Sequence, residues 1–331
     1  MTLVQNRRHF LSCMSLATAA GLTGLNRSVA YAEPPPETAT IRLPAYSVAC
    51  TAPLYLAEEL LHEEGFSQVR YVPVSYTSNQ VADGDLDFDF WASVDYLPVI
   101  DAGTPMTVLA GVHVGCYELR ANDSIRGIAD LRGKRVGTQK FGTTDHLLVS
   151  VMAAYVGLDP ATDINWVVNP DVSQAELFAK GEVDAFIGYP PDPGQPCARN
   201  AGHVVVNLAH DRPWSNYFCC MVIANVDFVR KNPVAAKRAL RAVLKATDIC
   251  HRQPERAAQR MVERGFSAEC ARMILNDARY GVWRDYDPED TVRFFALRLH
   301  EFGMIKNTPD EIVSQFTDWR FLNELKRELK T

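Results

Sequence analysis

The sequence predicts an α/β protein of two similar lobes, each a doubly wound sheet, joined by two crossings of the chain. Three observations carry that prediction. Short apolar runs alternate with helical patterns, as in open α/β sheets. One strand, loop and helix pattern recurs after about 95 residues. The 331 residues, 47% of them hydrophobic, leave room for two lobes and exclude a disordered chain, a collagen or a coiled-coil rod.

The first 32 residues read as an address. Asn6-Arg7-Arg8-His9-Phe10-Leu11 sets a twin arginine ahead of the weakly apolar stretch 16–25, which is too short to span a bilayer. Ala30-Tyr31-Ala32 supplies a small-x-small pattern, so cleavage is expected after Ala32, with export to the periplasm by the twin-arginine route. An amphipathic N-terminal helix is the competing reading; it leaves the order of arginine pair, apolar core and cleavage site unexplained. Cys13 precedes the apolar stretch and does not end it, so lipidation is not expected. The segment holds three arginines and no acid, and without it the formal net charge moves from −6 to −9. A chain so acidic is a poor partner for nucleic acid or anionic lipid.

The next elements come in two copies. Ile41-Arg42-Leu43-Pro44-Ala45 reads as a strand, 46–52 as a loop, and 53–61 as a helix with Thr51 as N-cap and Gly65 as stop. The second copy has a strand at 134–138, a loop at 139–144 and a helix at 145–152 that closes at Gly157. Ala82-Asp83-Gly84-Asp85-Leu86-Asp87-Phe88-Asp89-Phe90 is echoed by Ala179-Lys180-Gly181-Glu182-Val183-Asp184-Ala185-Phe186-Ile187. In each, a glycine stops a helix and an acid-apolar-acid step leads into a strand. The strands end in aromatic loops, Trp91-Ala92-Ser93 and Tyr189-Pro190-Pro191-Asp192, where the carboxyl ends of α/β strands place a ligand crevice.

Segments 111–120 and 214–224 read as extended and are the hinge candidates. They assign 40–115 and 222–331 to lobe I and 116–221 to lobe II. From Pro233 the pattern is helical, with an amphipathic run at 235–244 and further helices at 255–264, 289–301 and 309–329, a tail expected to pack on the first lobe.

Within the crevice, Tyr46, Trp91, Tyr189 and Trp214 offer faces for a flat solute; aromatics at strand ends also serve as core plugs. Gly142-Thr143-Thr144 stands at a helix start, where free N–H groups and the dipole suit an anion. An ordinary N-cap with Asp145 in the first turn fits the same residues. Lys140 is the one cation tied to these loops, and Asp95 and Asp192 suit an amine or ring nitrogen. The expected ligand set is Tyr46, Cys50, Trp91, Ala92, Ser93, Cys116, Thr138, Gly142, Thr143, Thr144, Tyr189 and Asp192.

Cleavage leaves Cys50, Cys116, Cys197, Cys219, Cys220, Cys250 and Cys270. They show no C-x-x-C or zinc-knuckle spacing and are expected mostly as small buried hydrophobes. There is no G-x-S-x-G elbow, H-E-x-x-H or Walker A loop, and His113 and His146 have no partner fixed by spacing. No catalytic residue, metal or cofactor is expected, and the chain is expected not to be an enzyme.

Four features in order carry a family likeness: Asp130-Leu131-Arg132-Gly133-Lys134-Arg135-Val136-Gly137, then Gly142-Thr143-Thr144-Asp145-His146, the paired Gly-acid-apolar-Asp strands, and the Gly115-Cys116-Tyr117-Glu118 crossing. With them the chain resembles the type II periplasmic solute-binding proteins of ABC importers over roughly residues 40 to 305. The nearest likeness is to the branch that serves nitrate, sulfonates, taurine and thiamine pyrimidine precursors. The resemblance implies a monomeric two-lobed clamp of the periplasmic-binding-protein type II fold. It would close about its hinges on an anionic, zwitterionic or heteroaromatic solute and deliver it to a membrane permease, with no nucleic acid partner. The alternative is a pyrimidine-precursor synthase or another periplasmic enzyme on the same fold. A cytoplasmic ligand-sensing regulator conflicts with the signal segment and with the lack of a DNA-binding module. The pyrimidine-synthesis relatives carry a richer cysteine cluster near the place of Phe218-Cys219-Cys220-Met221. This chain keeps only part of it, so an iron-dependent role is not expected. Buried hinge thiols are the preferred reading, and a disulfide from Cys116 to Cys219 or Cys220 the alternative.

Overall fold

A computed structural model of the chain describes residues 33–46, 48–74, 79–188 and 201–329. The expected signal segment, the loop residues Tyr189 and Asp192, and Cys197 lie outside the described residues. The unit Pro36–Thr331 packs as one body.

Its elements run β1 (Thr40–Ala45), α1 (Ala52–Glu63), β2 (Gln68–Pro73), β3 (Phe88–Ala92), α2 (Ser93–Asp101), β4 (Met106–His113) and β5 (Glu118–Ala121). Then come β6 (Arg135–Thr138), α3 (Thr144–Tyr155), β7 (Asn165–Val168), α4 (Gln174–Ala179), β8 (Ala185–Gly188), β9 (His203–Asn207) and β10 (Cys220–Asn225). The helical tail follows as α5 (Val226–Lys231), α6 (Pro233–Arg252), α7 (Pro254–Glu263), α8 (Ala268–Asp277), α9 (Pro288–Glu301), α10 (Pro309–Phe316) and α11 (Arg320–Glu328). Among the described residues no helix is long and apolar enough to cross a membrane.

The strands build two lobes with one plan. In the second lobe the order is β7-β6-β8-β5-β9, with β7, β6 and β8 parallel and β5 antiparallel to both of its neighbours. In the first lobe β2 pairs with β1, and β3-β10-β4 forms a second piece. The Asp87 amide donates to the Arg42 carbonyl (3.0 Å) and links the two pieces, so the order becomes β2-β1-β3-β10-β4. Each lobe is therefore an α/β sheet with an antiparallel strand inserted fourth, and that strand is one that follows a crossing.

The internal echo has a physical basis in one device used twice. Asp87 accepts from the Arg42 amide (2.7 Å) and from its guanidinium. Asp184 accepts from the Arg135 amide (3.0 Å) and from both Nε (3.1 Å) and Nη2 (2.8 Å) of the same arginine. In return the Asp184 amide donates to the Arg135 carbonyl (2.7 Å). Each carboxylate thus fastens the lobe's first strand to the strand after the glycine turn. Gly84 and Gly181 turn the chain there at φ +79° and +71°, a region that costs any side chain with a Cβ.

Four expectations need correction. Thr51 stands at the N-cap of α1 but its side chain caps no amide; it ends the 3-10 turn Ala49–Thr51, and its hydroxyl donates back to the Val48 carbonyl at 2.5 Å. Residues 309–329 form two helices, not one, and Trp214–Asn216 is a 3-10 turn instead of an extended segment. The tail does not pack on the first lobe alone. The α6 helix does face α1, with Arg238 donating to the Glu64 carbonyl (2.7 Å) and Arg241 pairing with its carboxylate (2.6 Å). The α9 helix instead reaches the second lobe, where Phe294 lies 6.2 Å from Tyr155 and stacks on Tyr217 at 3.9 Å.

Candidate functional site

Strands β1 and β3 run side by side, so their carboxyl ends deliver Tyr46 and Trp91 to the same place. The two rings stack with centroids 4.5 Å apart and planes 27° apart. Tyr46 is buried and donates its hydroxyl to Asp89 at 2.7 Å; the same oxygen accepts from the Phe90 amide (2.6 Å). Burial pushes both the Tyr46 phenol and the Asp89 carboxyl up. Asp89 was not picked out by sequence reasoning; an acid between the buried Phe88 and Phe90 is the signal that marks it.

The chain leaves β3 through Ala92 and Ser93, both buried. The Ser93 amide donates to the Cys219 carbonyl (2.6 Å) and its hydroxyl to the Phe218 carbonyl (2.8 Å), which pins the start of α2 to the returning crossing. At the start of that helix, Asp95 accepts from the Thr144 hydroxyl at 2.6 Å. That bond joins α2 of one lobe to α3 of the other. Burial lifts the Asp95 carboxyl to about 7, against the opposing pull of Thr144 and Trp91.

At the start of α3 the donors expected for an anion serve the protein's own groups. Asp145, fully buried, accepts from the Gln139 amide (2.7 Å), the His146 amide (2.9 Å) and the Thr143 hydroxyl (2.5 Å). The Gly142 amide donates to His146 Nδ1 at 3.2 Å. Thr138 is buried and its hydroxyl donates to the Lys140 carbonyl (3.2 Å), while Lys140 itself is exposed. Trp214 is buried against Tyr155 (5.4 Å) and Phe294 (5.7 Å), on the far side of a narrow apolar cavity that Ala92, Ser93, Tyr117 and Cys219 also line.

Beside the aromatic pair lies a cluster of thiols around an imidazole. Cys50 comes from the turn ahead of α1, His113 ends β4, Cys116 sits in the outgoing crossing, Cys219 stands just before β10 and Cys220 opens it. Strand register sets Cys220 opposite both His113 and Ala92. The donor atoms of Cys50, His113, Cys116 and Cys220 all lie within 4.8 Å of one another. The Cys116 and Cys219 sulfurs are 3.0 Å apart and those of Cys219 and Cys220 3.9 Å, all of them free thiols. Burial opposes ionisation of Cys219, but the thiols of Cys116 and Cys220 outweigh it and bring Cys219 down to about 7; burial drives Cys116 up. Gly115 and Cys116 both take left-handed backbone, φ +98° and +75°. A Cβ on Gly115 would stand 2.6 Å from that of Ala209, so only glycine fits this turn. No spacing rule finds the cluster, because only His113 and Cys116 lie close in sequence, while Cys50 and the Cys219-Cys220 pair come from distant segments. Of the other cysteines, Cys250 is a free buried thiol and Cys270 is disulfide-bonded, so the latter is not the simple buried hydrophobe expected.

The family model described as NMT1/THI5 like matches residues 51–257. Among curated proteins, the 4-amino-5-hydroxymethyl-2-methylpyrimidine phosphate synthase THI12 of Saccharomyces cerevisiae is 22% identical over 234 residues, covering 64% of this chain and 66% of that one. The synthase of the same name from Aspergillus parasiticus is 24% identical over 230 residues, with the same shares. The match thus spans just under two thirds of the length of these relatives. Among solved structures, the periplasmic nitrate-binding protein NrtA from Synechocystis PCC 6803 superposes with a TM-score of 0.71 at 18% identity, covering 90% of each chain. The putative periplasmic sulfonate-binding protein SsuA from Methylobacillus flagellatus KT gives 0.64 at 20% identity, covering 88% of this chain and 94% of that one. These structures establish the two-lobed periplasmic-binding-protein fold. The expectation that the chain is not an enzyme is overturned, since the curated relatives it matches are named as synthases. With one family model covering well over half of its length, on the fold that its strands describe, the chain belongs to the NMT1/THI5-like family.

Proposed function

We propose that the chain is an exported, periplasmic capture protein that closes on a small heteroaromatic solute of the aminopyrimidine class and delivers it to the permease of an ABC importer. In this reading 40–115 and 222–331 move as one lobe and 116–221 as the other. The observation that carries it is the stack of Tyr46 on Trp91 with the carboxyls of Asp89 and Asp95 at its edge. A flat ring gains contact area from the aromatic faces, and an amino group or ring nitrogen finds an acid. An oxyanion finds less support, because the Gln139 and His146 amides and the Thr143 hydroxyl already serve Asp145 and Lys140 is exposed. Guest contacts made on both lobes favour the closed form, and contacts made on one lobe alone do not.

A second reading is a pyrimidine phosphate synthase reaction in the same cleft. The relatives' names favour it, as does the cysteine and histidine cluster adjoining Ala92 and Trp91 through β10. Material released from the bound protein separates the two: a carrier returns its ligand unchanged, and a synthase releases a pyrimidine phosphate.

The test is a melting series of the chain with an aminopyrimidine, nitrate, taurine and an alkanesulfonate. At a hundredfold excess over Kd the true guest stabilises by about 2.7 kcal/mol. The aminopyrimidine should raise Tm, and Trp91→Ala should weaken its binding by about tenfold with the fold intact. A rise with nitrate or a sulfonate and none with the aminopyrimidine overturns the proposal.

A further inference from the structure

We propose that Cys50, His113, Cys116 and Cys220 bind one thiophilic metal ion, with Zn2+ the ion that the donor set fits best. Three thiols and one imidazole are a closed, four-coordinate zinc set, with no position left open for a substrate. Their donor atoms already lie within 4.8 Å of one another. Tetrahedral bonds of about 2.3 Å place sulfurs about 3.8 Å apart, so the cluster needs only a small contraction.

Two further observations point the same way. His113 is wholly buried, and neither ring nitrogen has a hydrogen-bond partner of good geometry; the polar groups that face it are the thiols of Cys50 and Cys220. Buried polar nitrogens are seldom left so, and a metal bond to one of them removes the deficit. Cys116 holds a left-handed backbone that a non-glycine residue adopts only where its surroundings impose it, and such residues gather at functional sites. The ring of Tyr280, 5.0 Å from His113, and that of Phe90, 6.0 Å away, shield the cluster, an apolar shell suited to a retained ion.

Only Cys220 belongs to the run Phe218-Cys219-Cys220-Met221; the other three donors come from the turn before α1, the end of β4 and the outgoing crossing. The ion would therefore rivet the first lobe to both crossings. Binding releases the thiol protons, so affinity rises with pH. This inference stands apart from the identity of the solute, because no guest contact enters it.

The experiment is an anaerobic titration of the reduced full chain with Co2+, followed by Zn2+. One equivalent of Co2+ should produce thiolate-to-cobalt charge-transfer absorption and the visible bands of a tetrahedral ion, and one equivalent of Zn2+ should abolish both. Cys50→Ser and His113→Gln, checked for folding by circular dichroism, should each weaken Zn2+ binding by at least about 100-fold in competition with a chromophoric chelator. Cys250→Ser, a free buried thiol outside the quartet, should leave it unchanged. The wild-type spectrum does not depend on any variant folding. Folded, reduced wild-type chain with no charge-transfer band overturns the proposal, and so does a band that survives both Cys50→Ser and His113→Gln.

Discussion

Asp95 carries a conflict that its surroundings only partly resolve. The Thr144 hydroxyl donates to one carboxyl oxygen, and burial still holds the group near pH 7 instead of the usual 3.8. A folded-state pKa raised above the unfolded one means that the folded chain binds the proton more tightly. The contribution to stability is complete below about pH 4, is lost as pH rises towards 7, and is constant above that. The rise from 3.8 to about 7 sets a ceiling of about 4 kcal/mol on the effect. Asp95→Asn keeps an acceptor for Thr144 and removes the charge. Denaturant unfolding from pH 4 to 8 should therefore show a falling stability in the wild type and a flatter profile in the variant. Parallel profiles would refute this account of Asp95.

The paired carboxylates of the echo make a test at the level of elements. Asp87 is 2% exposed and Asp184 18% exposed, yet each holds the arginine of its lobe's first strand. Removing either carboxylate frees an arginine that water can reach, but it also leaves the strand amide of Arg42 or Arg135 without its acceptor, which costs more where the site is dry. Asp87→Ala should cost about 3 kcal/mol, and Asp184→Ala about 1 to 2 kcal/mol because water reaches its site. Equal losses in chemical denaturation would show that burial is not what separates them. This device was legible in the sequence as a glycine turn followed by acid, apolar residue and acid, since turn and strand onset are local matters. The partners of those acids were not legible, because Arg42 and Arg135 stand 45 and 49 residues away. The thiol cluster lies further out of reach, since Cys50 and Cys220 meet only once β10 has returned between β3 and β4. At the start of α3 distance is not the obstacle, since Gln139, Thr143 and His146 all lie within six residues of Asp145: the spacing fits an anion and Asp145 equally well, and only the packed chain shows the carboxylate turned back onto these donors.

For the whole molecule, the two-lobed plan was readable from alternation and repetition, whereas the long return of the chain was not. A tail helix that touches both lobes leaves no mark on its own periodicity, since Phe294 looks like any core residue until Tyr155 and Tyr217 are set against it. The Thr144 to Asp95 bond, beside this aromatic bridge, has a kinetic corollary. In the clamp reading proposed above, that bond is a latch between the lobes, and it must break whenever they part. In rapid mixing, the observed association rate should level off at high concentrations of the guest, at the rate of spontaneous opening, and Thr144→Val should raise that plateau. A rate that climbs linearly without limit would mean that the door stands open.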